Sequence, residues 1–291
     1  MPDEKEVCYK WNEIEKSIGE NNLALFLRER ALKHSNYYHY GSVEKISAIL
    51  EHKTLRINPS INFNDVNDRY EGIFSFCFST GTSENLPLWF LYSGIEGKGA
   101  RIGLNQNQFN QFIDNATFTL MVNKEARFRI PKEKVVVSDI LYIQKKQTET
   151  RVKYNARTLN LHDNEADVVQ IFQENNPAAT KGLIWHYEKE TRIMVDLSEY
   201  LTENKIEGKD CFIEVAIPEK TYSCLKVRFA PELERESEEL IEVFSKSGFV
   251  KFFKEKVEFS EYSGTIKMGL KEYMCKNCKD KKAETSDDDK N

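Results

Sequence analysis

A chain of 291 residues forms either one large core or two ordinary ones, because single cores stop growing near about 250–300 residues. Hydrophobic residues at 40% and aromatics at 12% supply enough apolar surface to offset ordering entropy, which excludes global disorder. With 42 Lys+Arg against 47 Asp+Glu the formal charge is -5, which excludes a uniformly basic nucleic-acid-binding coat and leaves only a local basic groove open.

No apolar run approaches the roughly 20 residues that span a bilayer, and the N-terminus has neither the basic nor the apolar region of a secretory signal. The expectation is a soluble, cytoplasmic protein with no membrane partner. Cys8, Cys77, Cys211, Cys224, Cys275 and Cys278 then read as thiols. Cys275-x-x-Cys278 is half of a zinc site with no second pair at suitable spacing, so no metal is expected there.

In chain order, Ile14, Ile18, Leu23, Phe26, Leu27 and Ala31 recur at helical spacing, and a break at Gly19–Asn22 divides them into two short helices. Tyr37-Tyr38-His39-Tyr40 has strand propensity; Ser42 is placed to cap a helix whose Val43, Ile46, Ile49 and Leu50 share a face. A short segment at 54–57 leads into a polar loop containing Asn62-Phe63-Asn64-Asp65. Residues 72–79 alternate large and small side chains, as a central strand with one face in the core does.

Pro87 suits the first turn of a helix carrying Leu88, Trp89 and Tyr92, with Trp89 and Tyr92 on one side and Gly94 at its end. Strands are expected at 99–104 and 134–143 with a short helix at 106–114 between them, and the polar stretch 145–176 reads as helical. Residues 182–195 pass from an apolar turn through charged residues into a strand. Strands follow at 211–217 and 225–229, then a helix over 231–245 and a disordered charged tail at 279–291. The sum is an α+β fold with a mixed, mainly antiparallel sheet and flanking helices. Its expected organisation is a helical extension at 1–35, one domain at 36–270 and a charged tail at 271–291.

Phosphate loops, dinucleotide-binding glycine motifs, nucleophile elbows and H-E-x-x-H are all absent. His34, His52 and His162 sit in polar settings and read as surface residues, whereas His39 lies in an aromatic strand. It is either a hydrogen-bonded core residue or one facing a cleft. Glu188, Glu190 and Arg192 fall on alternate positions, so an extended chain projects them to one side. Such a row is either an ion-paired, solvated sheet face or a functional cluster, and Trp185 and Tyr187 beside it are either core or aromatic lining.

Taken in order, Tyr38-His39-Tyr40-Gly41-Ser42, Ile49-Leu50, Asn62-Phe63-Asn64-Asp65, Cys77-Phe78-Ser79, Leu88-Trp89 with Tyr92, Gly99–Gly103 and Trp185–Arg192 resemble the bacterial family called domain of unknown function 2971. The likeness spans about residues 36–266. The layout also looks like that of ADP-ribosyltransferases. That resemblance implies an ADP-ribosyltransferase-like fold with NAD as substrate and no metal, transferring ADP-ribose to a nucleic acid or protein in phage defence or a toxin system. It matches His39 to the first-strand His, Glu190 to the catalytic last-strand Glu, Glu188 to its Glu-x-Glu partner and Ser79 to a serine strand, with Tyr92 as the middle Tyr.

By the same resemblance, His39 holds the adenosine ribose, Trp89 or Tyr92 stacks on nicotinamide, and Arg192 or Arg69 pairs with the pyrophosphate. Two alternatives stay open. One is a non-catalytic nucleotide or nucleic-acid sensor with a basic rim of Lys145, Lys146, Arg151, Lys153 and Arg157. The other is a metal-dependent nuclease using Asp65, Asp68 and Glu190.

Overall fold

A computed structural model describes residues 13–63, 65–93, 98–146, 149–154, 157–233 and 257–263. The expected helix at 231–245, the charged tail and the Cys275/Cys278 pair lie wholly or almost wholly outside them. Contacts group the chain into two units, the first of Met1–Tyr37, Thr54–Thr82 and Asn105–Ser223, the second of Tyr38–Lys53, Ser83–Leu104 and Cys224–Asn291. The fold is α+β with a mixed, mainly antiparallel arrangement of strands. No described helix is long and apolar enough to cross a membrane.

In the first unit, β2 (Thr54–Pro59), β3 (Ile73–Thr80), β5 (Thr117–Val122), β6 (Glu125–Arg129), β7 (Val135–Asp139), β12 (Glu190–Asp196) and β13 (Cys211–Ala216) run in the order β7-β12-β3-β2-β13-β5-β6. Every one of these pairings is antiparallel. β3 is central as expected, but both of its faces are covered: Phe74, Phe76 and Phe78 are buried on one side, and Ser75 (4% exposed) and Ser79 (7%) on the other. Its small residues mark a second packed layer, where the sequence pattern had pointed to solvent.

That layer includes β8 (Leu141–Lys146), β9 (Glu149–Tyr154) and β10 (Arg157–Leu161), antiparallel to one another, with β11 (Thr180–Gly182) parallel to β8. Residues 145–176 are therefore helical only over Asp163–Asn175. The charged residues of β9, Glu149, Arg151 and Lys153, alternate with Thr150, Val152 and Tyr154, of which Val152 and Tyr154 are buried in one core with the N-terminal helices, so polarity there marks a strand with one wet face. The strand expected at 134–143 breaks at Ile140, whose N–H donates to the Glu190 carbonyl instead of continuing a ladder. α1 (13–19) and α2 (Leu23–Ala31) supply Ile14, Ile18, Leu23 and Leu27 to the same core as Leu141, Ile143, Val169 and Phe172.

Gly72 precedes β3 at φ +75, and a Cβ there would lie 2.4 Å from the Ser198 Cα. Gly72→Ala combines a left-handed backbone penalty with a backbone collision, so the thermal midpoint is expected to fall by an amount equivalent to about 2 kcal/mol or more. A thermal scan at fixed concentration reads this, and a midpoint within a degree of wild type would contradict it.

In the second unit, β1 (Asn36–Ser42, most of it in this unit), β4 (Gly99–Asn105), β14 (Lys226–Phe229) and β15 (Val257–Phe259) run β15-β14-β4-β1, with β14 and β15 parallel and β14 and β4 antiparallel. Ser42 caps α3 (Val43–His52) by accepting from the Lys45 N–H, and Val43, Ile46, Ile49 and Leu50 are buried as their spacing predicts. α4 (Leu86–Tyr92) carries Pro87 in its first turn as expected. Its Trp89 and Tyr92 part company, however: Trp89 is fully buried and Tyr92 is exposed.

Candidate active site

The site forms in the first unit at the head of β12. The turn Leu183–Glu188 is a 3-10 helix, and Lys189 adopts φ 47 to swing the chain into the strand at Glu190. Glu188 and Glu190 are therefore not neighbours on one extended row, and the row is not solvated: Glu188 is 1% exposed, Glu190 7% and Arg192 0%. In register, Glu190 lies opposite Ser79 and Arg192 opposite Cys77 of β3, while Thr191 faces Asp139 of β7.

A buried guanidinium must find partners for five N–H donors, and Arg192 finds all of them within the protein. Its Nε donates to Glu190 (3.1 Å), one terminal nitrogen to Asp68 (2.7 Å) and the Ala178 carbonyl (3.0 Å), and the other to Asp68 (2.5 Å) and Glu190 (2.7 Å). The polar loop of the sequence explains itself here, because Asp65 caps the Val66–Asp68 turn that carries Asp68 to Arg192. Lys181 of β11 adds a second cation, with its Nζ 2.5 Å from Glu188, 3.6 Å from Glu190 and 3.9 Å from Asp68.

These partners push the two glutamates apart in acidity. Burial disfavours the Glu190 carboxylate, but Arg192 and Lys181 outweigh it and hold the group down at about 2. Burial and then the Glu190 charge push Glu188 up to about 7, against the pull of Lys181. Burial also raises Asp68 despite Arg192, and it pushes the Cys77 thiol well up. The outcome is one ionised carboxylate beside one that stays protonated to near neutrality, the division of labour that acid–base sites use.

Glu190 lines a small recess, open to solvent and with room for about one water (about 10 Å³), lined also by His34, Asp139, Tyr142, Tyr154, His186 and Lys189. His34 is not the surface residue its polar setting suggested. Its Nε2 lies 2.8 Å from both Asp139 oxygens, and Asp139 also accepts from Tyr154 (2.6 Å) and Thr191 (2.5 Å). With Nε2–H directed at the carboxylate, Nδ1 is left as the basic nitrogen. Tyr142 accepts the Glu190 backbone N–H at 2.9 Å, which fixes the start of β12.

The other expected residues are placed as follows. His39, Trp89 and Tyr92 belong to the second unit, where Trp89 donates its Nε1 to Glu84 at 2.9 Å. Ser79 stands beside Glu190 across the β3–β12 ladder. Arg69 is exposed and donates to the Phe63 carbonyl. Arg192 has no donor left for a phosphate. Asp68 and Glu190 share Arg192, while Asp65 is spent on its own turn, so these three do not form the carboxylate cluster of a metal nuclease; among the described residues no group of acidic, His and Cys side chains has metal-site geometry. Of the basic rim, Arg151 is paired to Glu149 at 2.7 Å.

Residues 88–193 match the family described as protein of unknown function (DUF2971). Over that span, about a third of the chain, the protein is similar to this family. The family segment carries Asp139, Lys181, Glu188, Glu190 and Arg192, whereas His34 and Asp68 lie ahead of it. No curated protein and no solved structure matches the chain.

Missed in the sequence were Lys181, Asp139 and His34. Asp139 left a faint signal, an acid ending the run Val135-Val136-Val137-Ser138. Lys181 and His34 left none, because their partners are over a hundred residues away or in a turn whose path the pattern does not give.

Proposed function

We propose that the protein cleaves the nicotinamide–ribose bond of NAD and transfers ADP-ribose, with Glu190 as the carboxylate that stabilises positive charge on the ribose as that bond breaks. The observation that carries this reading is Glu190 itself. It is ionised by Arg192 and Lys181, lines a recess at the head of β12, and has Ser79 beside it and the His34–Asp139 pair in the same lining.

A carboxylate held by buried cations is oriented before the substrate arrives, so it costs no reorganisation when charge develops. The bond's electron pair leaves with nicotinamide, and the acceptor's oxygen or nitrogen adds to the ribose carbon as its proton passes to His34 Nδ1. Asp139 holds the imidazole in the tautomer this requires. The pyrophosphate falls to Lys189 and His186 on the recess wall rather than to Arg192.

Nicotinamide release from NAD by the full chain, with and without nucleic acid, tests the reading. Glu190→Gln keeps the shape and removes the charge, and release is expected to fall about a hundredfold or more. No release by folded wild type under any of these conditions would overturn it.

A further inference from the structure

The second unit contains a guanidinium in a very different situation from Arg192. Arg101 of β4 is 3% exposed, yet among the described residues no carboxylate pairs with it. One terminal nitrogen donates to the Tyr40 hydroxyl at 2.6 Å, and its Nε is buried with no hydrogen-bond partner. Its cross-strand neighbour contrasts with it: Arg228 stands directly opposite Arg101 in the β14–β4 ladder and is paired with three carboxylates, Glu258, Glu84 and, at 3.5 Å, Glu261. Arg228 meets Glu258 through Nε (3.0 Å) and a terminal nitrogen (2.6 Å), and Glu84 at 2.8 Å.

Glu84 is itself committed, accepting from Trp89, Ser260 and the Glu261 backbone as well as Arg228. It therefore neutralises Arg228 and leaves Arg101 to aromatic rings. The Arg101 guanidinium carbon lies 4.0 Å from the Tyr38 ring centre, 5.4 Å from Tyr40 and 5.9 Å from Trp89. Gly103, two residues on along the same strand face, makes room for this arrangement: a Cβ there would come within 3.0 Å of the Tyr38 ring.

Ring faces return only part of the hydration a buried guanidinium loses, and an unpaired buried charge is costly. With one terminal nitrogen on Tyr40, the edge formed by Nε and the other terminal nitrogen remains, two parallel N–H groups at the spacing of two oxygens on one atom. We propose that this edge of Arg101 is the binding site for an oxyanion group, a phosphate or carboxylate carried by a ligand, taken in the bidentate mode against the ring of Tyr38. The site lies wholly within the second unit and is independent of Glu190.

The test uses the 15N-labelled full chain, following the Arg101 Nε–Hε resonance, identified by its contact with the Tyr38 ring, while sodium phosphate or sodium acetate is added at constant ionic strength. A saturable downfield shift of that resonance is expected, and the more effective anion tells phosphate from carboxylate. Arg101→Lys keeps the charge but not the fork, and its affinity for the same anion, read from neighbouring amides, should be at least about tenfold weaker. An Nε–Hε resonance that neither anion moves would overturn the proposal, as would undiminished binding by a folded Arg101→Lys. The wild-type resonance is its own reporter, so the test stands if the variant does not fold.

Discussion

Replacing Arg192 by Leu is expected to lower the free energy of unfolding by about 3–5 kcal/mol, read from the urea midpoint of the full chain. The side chain it removes is completely buried and donates five hydrogen bonds, four of them to carboxylates. Without it, Asp68 loses both of its close donors and Glu190 keeps Lys181 at 3.6 Å as its nearest cation. Each must then ionise without adequate partners or take up a proton that its unfolded form does not hold at neutral pH. Against a typical total of about 5–15 kcal/mol this is a large fraction of the fold's stability.

Arg192→Lys should recover little, because one ammonium cannot reach both Asp68 oxygens and Glu190 at once. A second change separates charge from packing. Asp68→Asn added to Arg192→Leu removes one of the stranded charges and should return part of the loss, giving a coupling well outside additivity. A Leu variant within about 1 kcal/mol of wild type would mean that the buried network contributes nothing net, an outcome known for some buried ion pairs when both partners are replaced, but not expected when one is removed.

The parts of this arrangement that could be read from sequence are those fixed by neighbours in the chain. Ser42 and the apolar face behind it form a cap and a helix from eleven consecutive residues, and the structure keeps them. Glu190 and Arg192 alternate on a strand, so their common side follows from the pleat alone. Whether that side was wet or dry did not follow, because dryness comes from Asp68 in a turn over a hundred residues earlier and from Lys181 on a three-residue strand. The β8–β9–β10 meander was hidden for a related reason. Glu149, Arg151 and Lys153 make its outer face as polar as a surface helix, and only the buried Val152 and Tyr154 between them betray the period of two. His34 shows the converse, a half-buried polar residue in a polar segment that pairs with the distant Asp139 while packing on the nearby Tyr37 ring.

The pairing of unlike glutamates has a consequence for stability against pH. In the unfolded chain Glu188 is an ordinary glutamate near 4.5, whereas in the native protein it keeps its proton up to about 7. Between those values the native state binds more protons than the unfolded one, so this group makes stability fall as pH rises, by up to about 1.4 kcal/mol per unit and about 3 kcal/mol across the window. Glu190 acts in the opposite sense and in a lower window. Its native value of about 2 lies below 4.5, so its contribution is present above 4.5 and is lost as pH falls toward 2.

The two together place the pair's greatest support near pH 4.5, well below neutrality, because Arg192 is spent on Glu190 while burial and the Glu190 charge outweigh the pull of Lys181 on Glu188. Glu188→Gln keeps an amide donor and acceptor in place and cannot ionise. Its stability should therefore equal or fall below that of wild type at pH 5 and exceed it at pH 8, where wild type must hold an ionised Glu188 beside Glu190. Urea melts of both proteins from pH 4.5 to 8.5 read the difference, in which the other titrating groups largely cancel. Parallel curves across that range would show that Lys181 at 2.5 Å keeps Glu188 ionised throughout.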